Sequence, residues 1–275
     1  MVRTSDNCWK VNWKPILSVT VSQYMVQSSE AVTSARAMDE VTMKCLWDFV
    51  WATPCKEYGP TSCKRKAENP AEWAGFMIHS MLLLLYLVSM ICLLHYDKAL
   101  QITWADITFQ VKDKLKLPFR KTHQYRGIAP FYIYADEQCP WMCLVQTFAV
   151  WWMLARERCK NLDGFIFQKK IGTDSVSVNL TDGMTSNAFL KCFHNKLLDI
   201  GVDLHPYGTH SFRRGGCQFL YKVCRWDIRD ICDWGGWAEN FDNPGIIFKY
   251  LPSWNNNPWE KPMKDPCHAC GRTCH

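Results

Sequence analysis

Residues 81–94, MLLLLYLVSMICLL, form an apolar run without a charge, preceded by GFMIHS. A helix that is apolar all round must be enclosed by protein or by lipid. The run is shorter than the ~20 residues that cross a bilayer. His79 and Ser80 stand at one end, and His95, Tyr96, Asp97 and Lys98 at the other. The expectation is a fully buried helix, not a membrane span, so the remaining chain must supply its cover.

At 275 residues the chain is long enough for one large domain, or one domain and part of another. A hydrophobic share of 48% with 21% charged residues is globular, not disordered. The net charge of +6 permits a polyanionic partner without demanding one. The 15 cysteines are odd in number and scattered, and no apolar signal opens MVRTSDNCWKVNWKP. Together these features predict an intracellular, reducing location with free buried thiols.

Residues 1–36 are weakly patterned and read as the remnant of a preceding domain, or as disordered. Apolar residues at helical spacing begin in SARAMDEVTMKCLWDFVW (34–51), and a polar loop with three prolines and a basic KRK covers 52–73. The buried helix follows, from the seventies to about Leu94. Three short β-type runs come next: DITFQV, LKLPFR and APFYIYA. A long helix is expected over 140–159, a short extended piece at GFIFQK, and a helix over 185–201 between a Thr/Ser start and a glycine stop. Helical segments at 209–223, 226–233 and 243–251 complete the pattern. The fold class is α+β, mostly helical, with a small antiparallel three-stranded sheet. The domain spans 37–255, and a tail at 256–275 holds Cys and His residues.

GTHSFRRGGC (208–217) concentrates cationic donors in apolar surroundings. Residues i and i+3 share a helix face, so His210 and Arg213 would present an imidazole beside a guanidinium. That pair suits a phosphate, because arginine offers a bidentate fork and histidine can move a proton near neutral pH. A buried histidine beside an arginine salt-bridged elsewhere would leave the same trace. Further on, DWGGWAENFDNPGIIFKYL (233–251) places Trp237 thirteen residues before Tyr250.

The order His, Arg, Trp, Tyr near a C-terminus resembles the tyrosine recombinase (phage integrase) family. HSFRRGG resembles its His-x-x-Arg box, and GGW with IFKY its Trp-and-Tyr box. FRKTHQ resembles its hairpin-lysine segment, at Lys121, and ITWADI the segment leading into the sheet. The wording LPFRKTHQ and YGTHSFRRGG looks closest to the recombinase-like proteins of eukaryotic Crypton-type mobile elements. The resemblance implies a catalytic domain that breaks and rejoins duplex DNA in a nucleus, self-associating on DNA, with residues 1–36 left from a DNA-clamping domain. It implies no cofactor and no catalytic metal.

The resemblance also implies roles that chemistry explains. A phosphodiester gains negative charge in its pentavalent transition state, so donors must converge on the non-bridging oxygens. Arg213 would supply a fork there, and Trp237 an indole N–H that only donates. Tyr250 would be the nucleophile, leaving a phosphotyrosyl link. Lys121 would protonate the departing 5′-oxygen, and His210 would accept or donate a proton. Each residue alone has a plainer reading: Trp and Tyr as core residues, Lys121 as one solvated lysine among Lys112, Lys114 and Lys116.

Two positions depart from the family. Aligning ITWADI places an essential arginine at 95 and a glutamate at 98, where this chain has His95 and Lys98. No arginine lies between Ala71 and Phe119 to replace the first. Histidine is shorter, offers at most two donors and is mostly neutral at pH 7. The alternative to an impaired enzyme is therefore a DNA-binding remnant that no longer cleaves, decayed or reused. The interval from Trp237 to Tyr250 is also a few residues longer than the family's usual one. In the tail, Cys267 and Cys270 with the following glycine have the spacing of half a zinc knuckle, which Cys274 and His275 would have to complete; a disordered tail is the expectation.

Overall fold

Asp39 starts the first helix, α1 (Glu40–Ala52), by accepting a 2.7 Å hydrogen bond from the Thr42 N–H. This computed structural model describes residues 35–54, 73–110, 114–117, 130–158, 162–237 and 250, all within one compact unit spanning 35–250. The apolar run forms α2 (Phe76–Ile91), buried from Met77 to Met90 and packed against α1 and the elements that follow. No helix among the described residues is long and apolar enough to cross a membrane.

After α2 the chain runs through a short helix α3 (Tyr96–Ala99) and a 3-10 turn (Trp104–Asp106) into a three-stranded antiparallel sheet. Its strands are β1 (Thr108–Gln110), β2 (Lys114–Leu117) and β3 (Phe131–Tyr134), in the order β1-β2-β3. Leu115 pairs with Ile133 and Leu117 with Phe131, and these four side chains are buried. Lys116 pairs with the exposed Tyr132, giving the alternation of a half-buried sheet. A second 3-10 turn at Pro140–Met142 precedes α4 (Leu144–Arg158). The expected 140–159 helix is therefore broken at Cys143.

Where an extended GFIFQK was expected, Phe165 and Gln168 make single bridges to Thr103 and Gly183. A hairpin not anticipated from sequence follows, β4 (Lys170–Ile171) with β5 (Ser175–Val176). Its turn has a structural task. Gly75, at the N-terminus of α2, has no side chain to cap the helix. Asp174 does so from the hairpin, accepting from Ile78 N–H at 3.0 Å, while Gly75 N–H donates to Thr173 O. Burial raises the Asp174 pKa, and the bonds from Ile78 and Met77 oppose the rise.

The remaining helices are α5 (Ser186–Asp199), α6 (Ser211–Lys222) and α7 (Ile228–Gly235). Gly215 and Gly216 let α6 lie directly on backbone. A Cβ at 216 would stand 1.9 Å from Met90 O and 2.6 Å from Leu93 Cδ2; one at 215, 2.1 Å from Met38 O. A Gly216→Ala change should cost ~2 kcal/mol by overpacking, outweighing alanine's ~1 kcal/mol better helix propensity. The net ~1 kcal/mol is, for a domain of this size, a melting temperature lower by roughly 2–4 °C. Unchanged thermal unfolding would mean that α6 and α2 are spaced further apart than described.

Candidate active site

The close approach of α6 to α2 buries the first turn of α6, so Arg213 and Arg214 are each only 4% exposed. His210 is the N-cap residue and stays exposed, with Nδ1 3.1 Å from Thr209 Oγ1. Ser211, fully buried, accepts from Gly208 N–H through its hydroxyl and from Met38 N–H through its carbonyl. The Met38 bond fastens the THSFRR segment to the stretch before α1.

Among the described residues, Arg213 meets aromatic rings and no acid. Its guanidinium carbon is 4.5 Å from the Trp237 ring centroid and 5.5 Å from that of Tyr250. The two rings stack at 5.3 Å with 24° between their planes. Among the described residues, Arg213 Nε has no hydrogen-bond partner. Burial pulls the Arg213 pKa down; the phenol of Tyr250, then the thiol of Cys217, pull it back, and the same holds for Arg214. A buried cation covered by ring faces is partly compensated by cation–π attraction.

The WGGW stretch explains how Trp237 gets there. Trp234 donates from Nε1 to Ile91 O at 2.7 Å, tying α7 to the end of α2. Gly236 adopts φ +65° and closes a Schellman cap, with Trp237 N–H donating to Cys232 O and Gly236 N–H to Asp233 O. Gly235 leaves room for the indole, because a Cβ there would stand 2.6 Å from Trp237 Cζ3. The chain thus reverses and lays the Trp237 ring over Arg213.

His95 does not lie at the end of α2, as the sequence suggested, because the helix stops at Ile91. Leu93 takes φ +51°, turning the chain, and His95 becomes the N-cap of α3. Its ring lies 4.8 Å from that of His210, at 64°. His95 Nδ1 is 3.1 Å from Asp97 Oδ2, and Asp97 Oδ1 accepts from Ser186 Oγ at 2.5 Å. Lys98 turns to the surface and donates to Gln101 Oε1 at 3.2 Å.

The structure therefore gathers Arg213, Trp237 and Tyr250 into one stack and sets His95 against His210, one turn before Arg213. Lys121 and the tail residues Cys267, Cys270, Cys274 and His275 lie outside the described residues. Among the described residues, no group of three or more His, Cys, Asp or Glu is placed to hold a metal ion. Sequence reasoning missed Asp97, whose signal was its place two residues after His95, and Ser186, whose contact depends on how α5 packs. As chemistry, the arrangement offers a buried guanidinium with no acid partner among the described residues, two adjacent imidazoles and a phenol.

No protein-family model matches the sequence, and no curated protein does. Among solved structures, similar chains are found. Two are of the XerH site-specific recombinase, bound to difH substrate in a pre-cleavage complex and to palindromic difH in a post-cleavage complex. Each is 13% identical, with a TM-score of 0.49, covering 78% of this chain and 50% of the other. The chain spans about half the length of those recombinase chains.

Proposed function

We propose that this chain binds duplex DNA and is built to break and rejoin it through a covalent phosphotyrosyl intermediate, with cleavage weakened by His95. The observation that carries the reading is the convergence of Arg213, Trp237 and Tyr250, far apart in sequence, around a guanidinium with no acid partner among the described residues. In this mechanism the Tyr250 oxygen attacks phosphorus and loses its proton to His210. The P–O5′ bond breaks, and the departing 5′-oxygen takes a proton from Lys121, a role that rests on sequence resemblance alone. Arg213 neutralises the oxygens on which charge builds. Mobile-element origin, nuclear location and self-association on DNA belong to the same proposal.

A second reading, a DNA-binding module that no longer cleaves, is favoured by His95 and by the outward-turned Lys98. One experiment separates the two. Incubated with nicked duplex, the protein should slowly form an SDS-resistant adduct that Tyr250→Phe abolishes. Binding without any adduct would select the second reading. Binding itself should weaken steeply with salt, log K falling linearly with log salt by ~0.9 per phosphate contacted. Affinity that stays flat between low and physiological salt would defeat both readings.

A further inference from the structure

We infer that Trp237 and Tyr250 are specificity-determining residues: their stacked rings cover Arg213, so its guanidinium takes a phosphate presented on DNA and excludes free phosphate. The DNA half of this rests on the function proposed above; the cover rests on geometry alone. Arg213 is 4% exposed, while Trp237 and Tyr250 are half-buried. The two rings, 4.5 and 5.5 Å from the guanidinium carbon, form the layer between it and solvent. Ring faces alone would leave the N–H edges of a guanidinium open to an anion. Here Nε is buried without a hydrogen-bond partner, so that edge is closed as well.

The rings, not the helix beneath them, are free to give way. Gly215 and Gly216 already seat α6 on the Met38 and Met90 carbonyls, so Arg213 cannot withdraw with its helix. Trp237 stands just past the cap of α7, its N–H bonded to Cys232 O, and its side chain can turn while that bond stays. The affinity of a site falls in proportion to the fraction of time it is open. Free phosphate brings only its own contacts with which to part the rings. A duplex brings many phosphates, and contacts made elsewhere along it can drive the opening, which is specificity by induced fit.

The test follows the Arg213 Nε–H signal in proton–nitrogen NMR spectra, assigned by its loss in Arg213→Lys. A proton beside an indole face is shifted by the ring current, so this signal reports the cover directly. In the parent, inorganic phosphate should leave the signal in place and nicked duplex should move it. In Trp237→Ala, inorganic phosphate should move it, binding ~30-fold more tightly than to the parent, the weight of one desolvated cation–π contact. α7 stays tied to α2 in that variant through Trp234 Nε1 and Ile91 O. Should Trp237→Ala nevertheless lose its dispersed spectrum, Tyr250→Ala removes the other ring and is read in the same way. Phosphate that moves the parent's signal as readily as the variant's overturns the inference, and so does an uncovered variant that ignores phosphate. A parent that binds nicked duplex without moving the signal overturns it too. The expected phosphate results in a protein that binds no DNA uphold the cover and refute the DNA reading instead.

Discussion

Replacing His95 by arginine should raise the rate of tyrosyl–DNA adduct formation by ~10²-fold, at unchanged fold and with DNA binding preserved. One preorganised donor at a developing oxyanion contributes ~10²–10³ in rate, and an arginine fork differs from a histidine in reach as well as charge. The lower end is taken because an imidazole at position 95 still offers a second ring nitrogen beside the Nδ1 that meets Asp97 at 3.1 Å. A guanidinium has five N–H donors, enough to meet Asp97 and still present two to a phosphate oxygen pair. Adding Tyr250→Phe to His95→Arg should return the adduct to background, because only the phenolic oxygen can attack. Gel quantification of SDS-resistant product over time measures both. Unchanged cleavage in a folded His95→Arg protein would mean that position 95 does not face the scissile phosphate, or that Lys98 or another residue also limits the reaction.

The same segment shows where sequence reading reaches and where it stops. The buried helix was legible because an apolar run of that length has no other soluble solution, and the helix from Ser186 because Thr185 caps it and Gly201, at φ +70°, follows it. The sheet followed from alternation: Leu115 and Leu117, then Phe131 and Ile133, all on the buried face. The β4–β5 hairpin escaped because two-residue strands carry no period, and its purpose, delivering Asp174 to the start of α2, is purely tertiary. The Arg-Trp-Tyr stack was legible only as an ordered set of residue types. Its geometry depends on Gly236 reversing the chain and on Gly215 and Gly216 letting α6 touch backbone. The sequence places position 95 at a helix end because the turn at Leu93 does not show in a linear pattern.

One readable signal was passed over. On α5 the buried positions 189, 192, 193, 196 and 197 form a regular apolar stripe, and Lys196 sits in it with 0% exposure. Its ammonium lies 3.9 Å over the Phe49 ring and has no hydrogen-bond partner among the described residues. His79, buried against Phe49 and Trp73, leaves its Nδ1 equally unsatisfied. Burial lowers the Lys196 pKa to about 7, against a smaller upward pull from Asp199, and burial with Lys196 nearby lowers His79 to about 3.

Lys196→Met should therefore stabilise the protein at neutral pH by ~3 kcal/mol, the scale on which apolar residues improve on buried charges. The pH dependence identifies the cause. A lysine that titrates near 7 when folded and near 10.5 when unfolded gives the unfolded chain more bound protons across that interval. Stability of the parent must then rise as pH rises from about 7 to 10.5, by up to ~1.4 kcal/mol per unit, and the deficit is largest below pH 7, where the amine is charged in both states. Cation–π attraction to Phe49, ~2 kcal/mol when desolvated, offsets part of that deficit and keeps the net gain below the full linkage figure. In Lys196→Met the slope between pH 7 and 10 should flatten, so the two proteins converge in stability as the solution becomes alkaline. Urea denaturation at pH 6.5, 8 and 9.5 would measure the gap at each point. A methionine variant less stable than the parent at all three would show that the Lys196 ammonium has an ionic partner strong enough to reverse the cost of its burial.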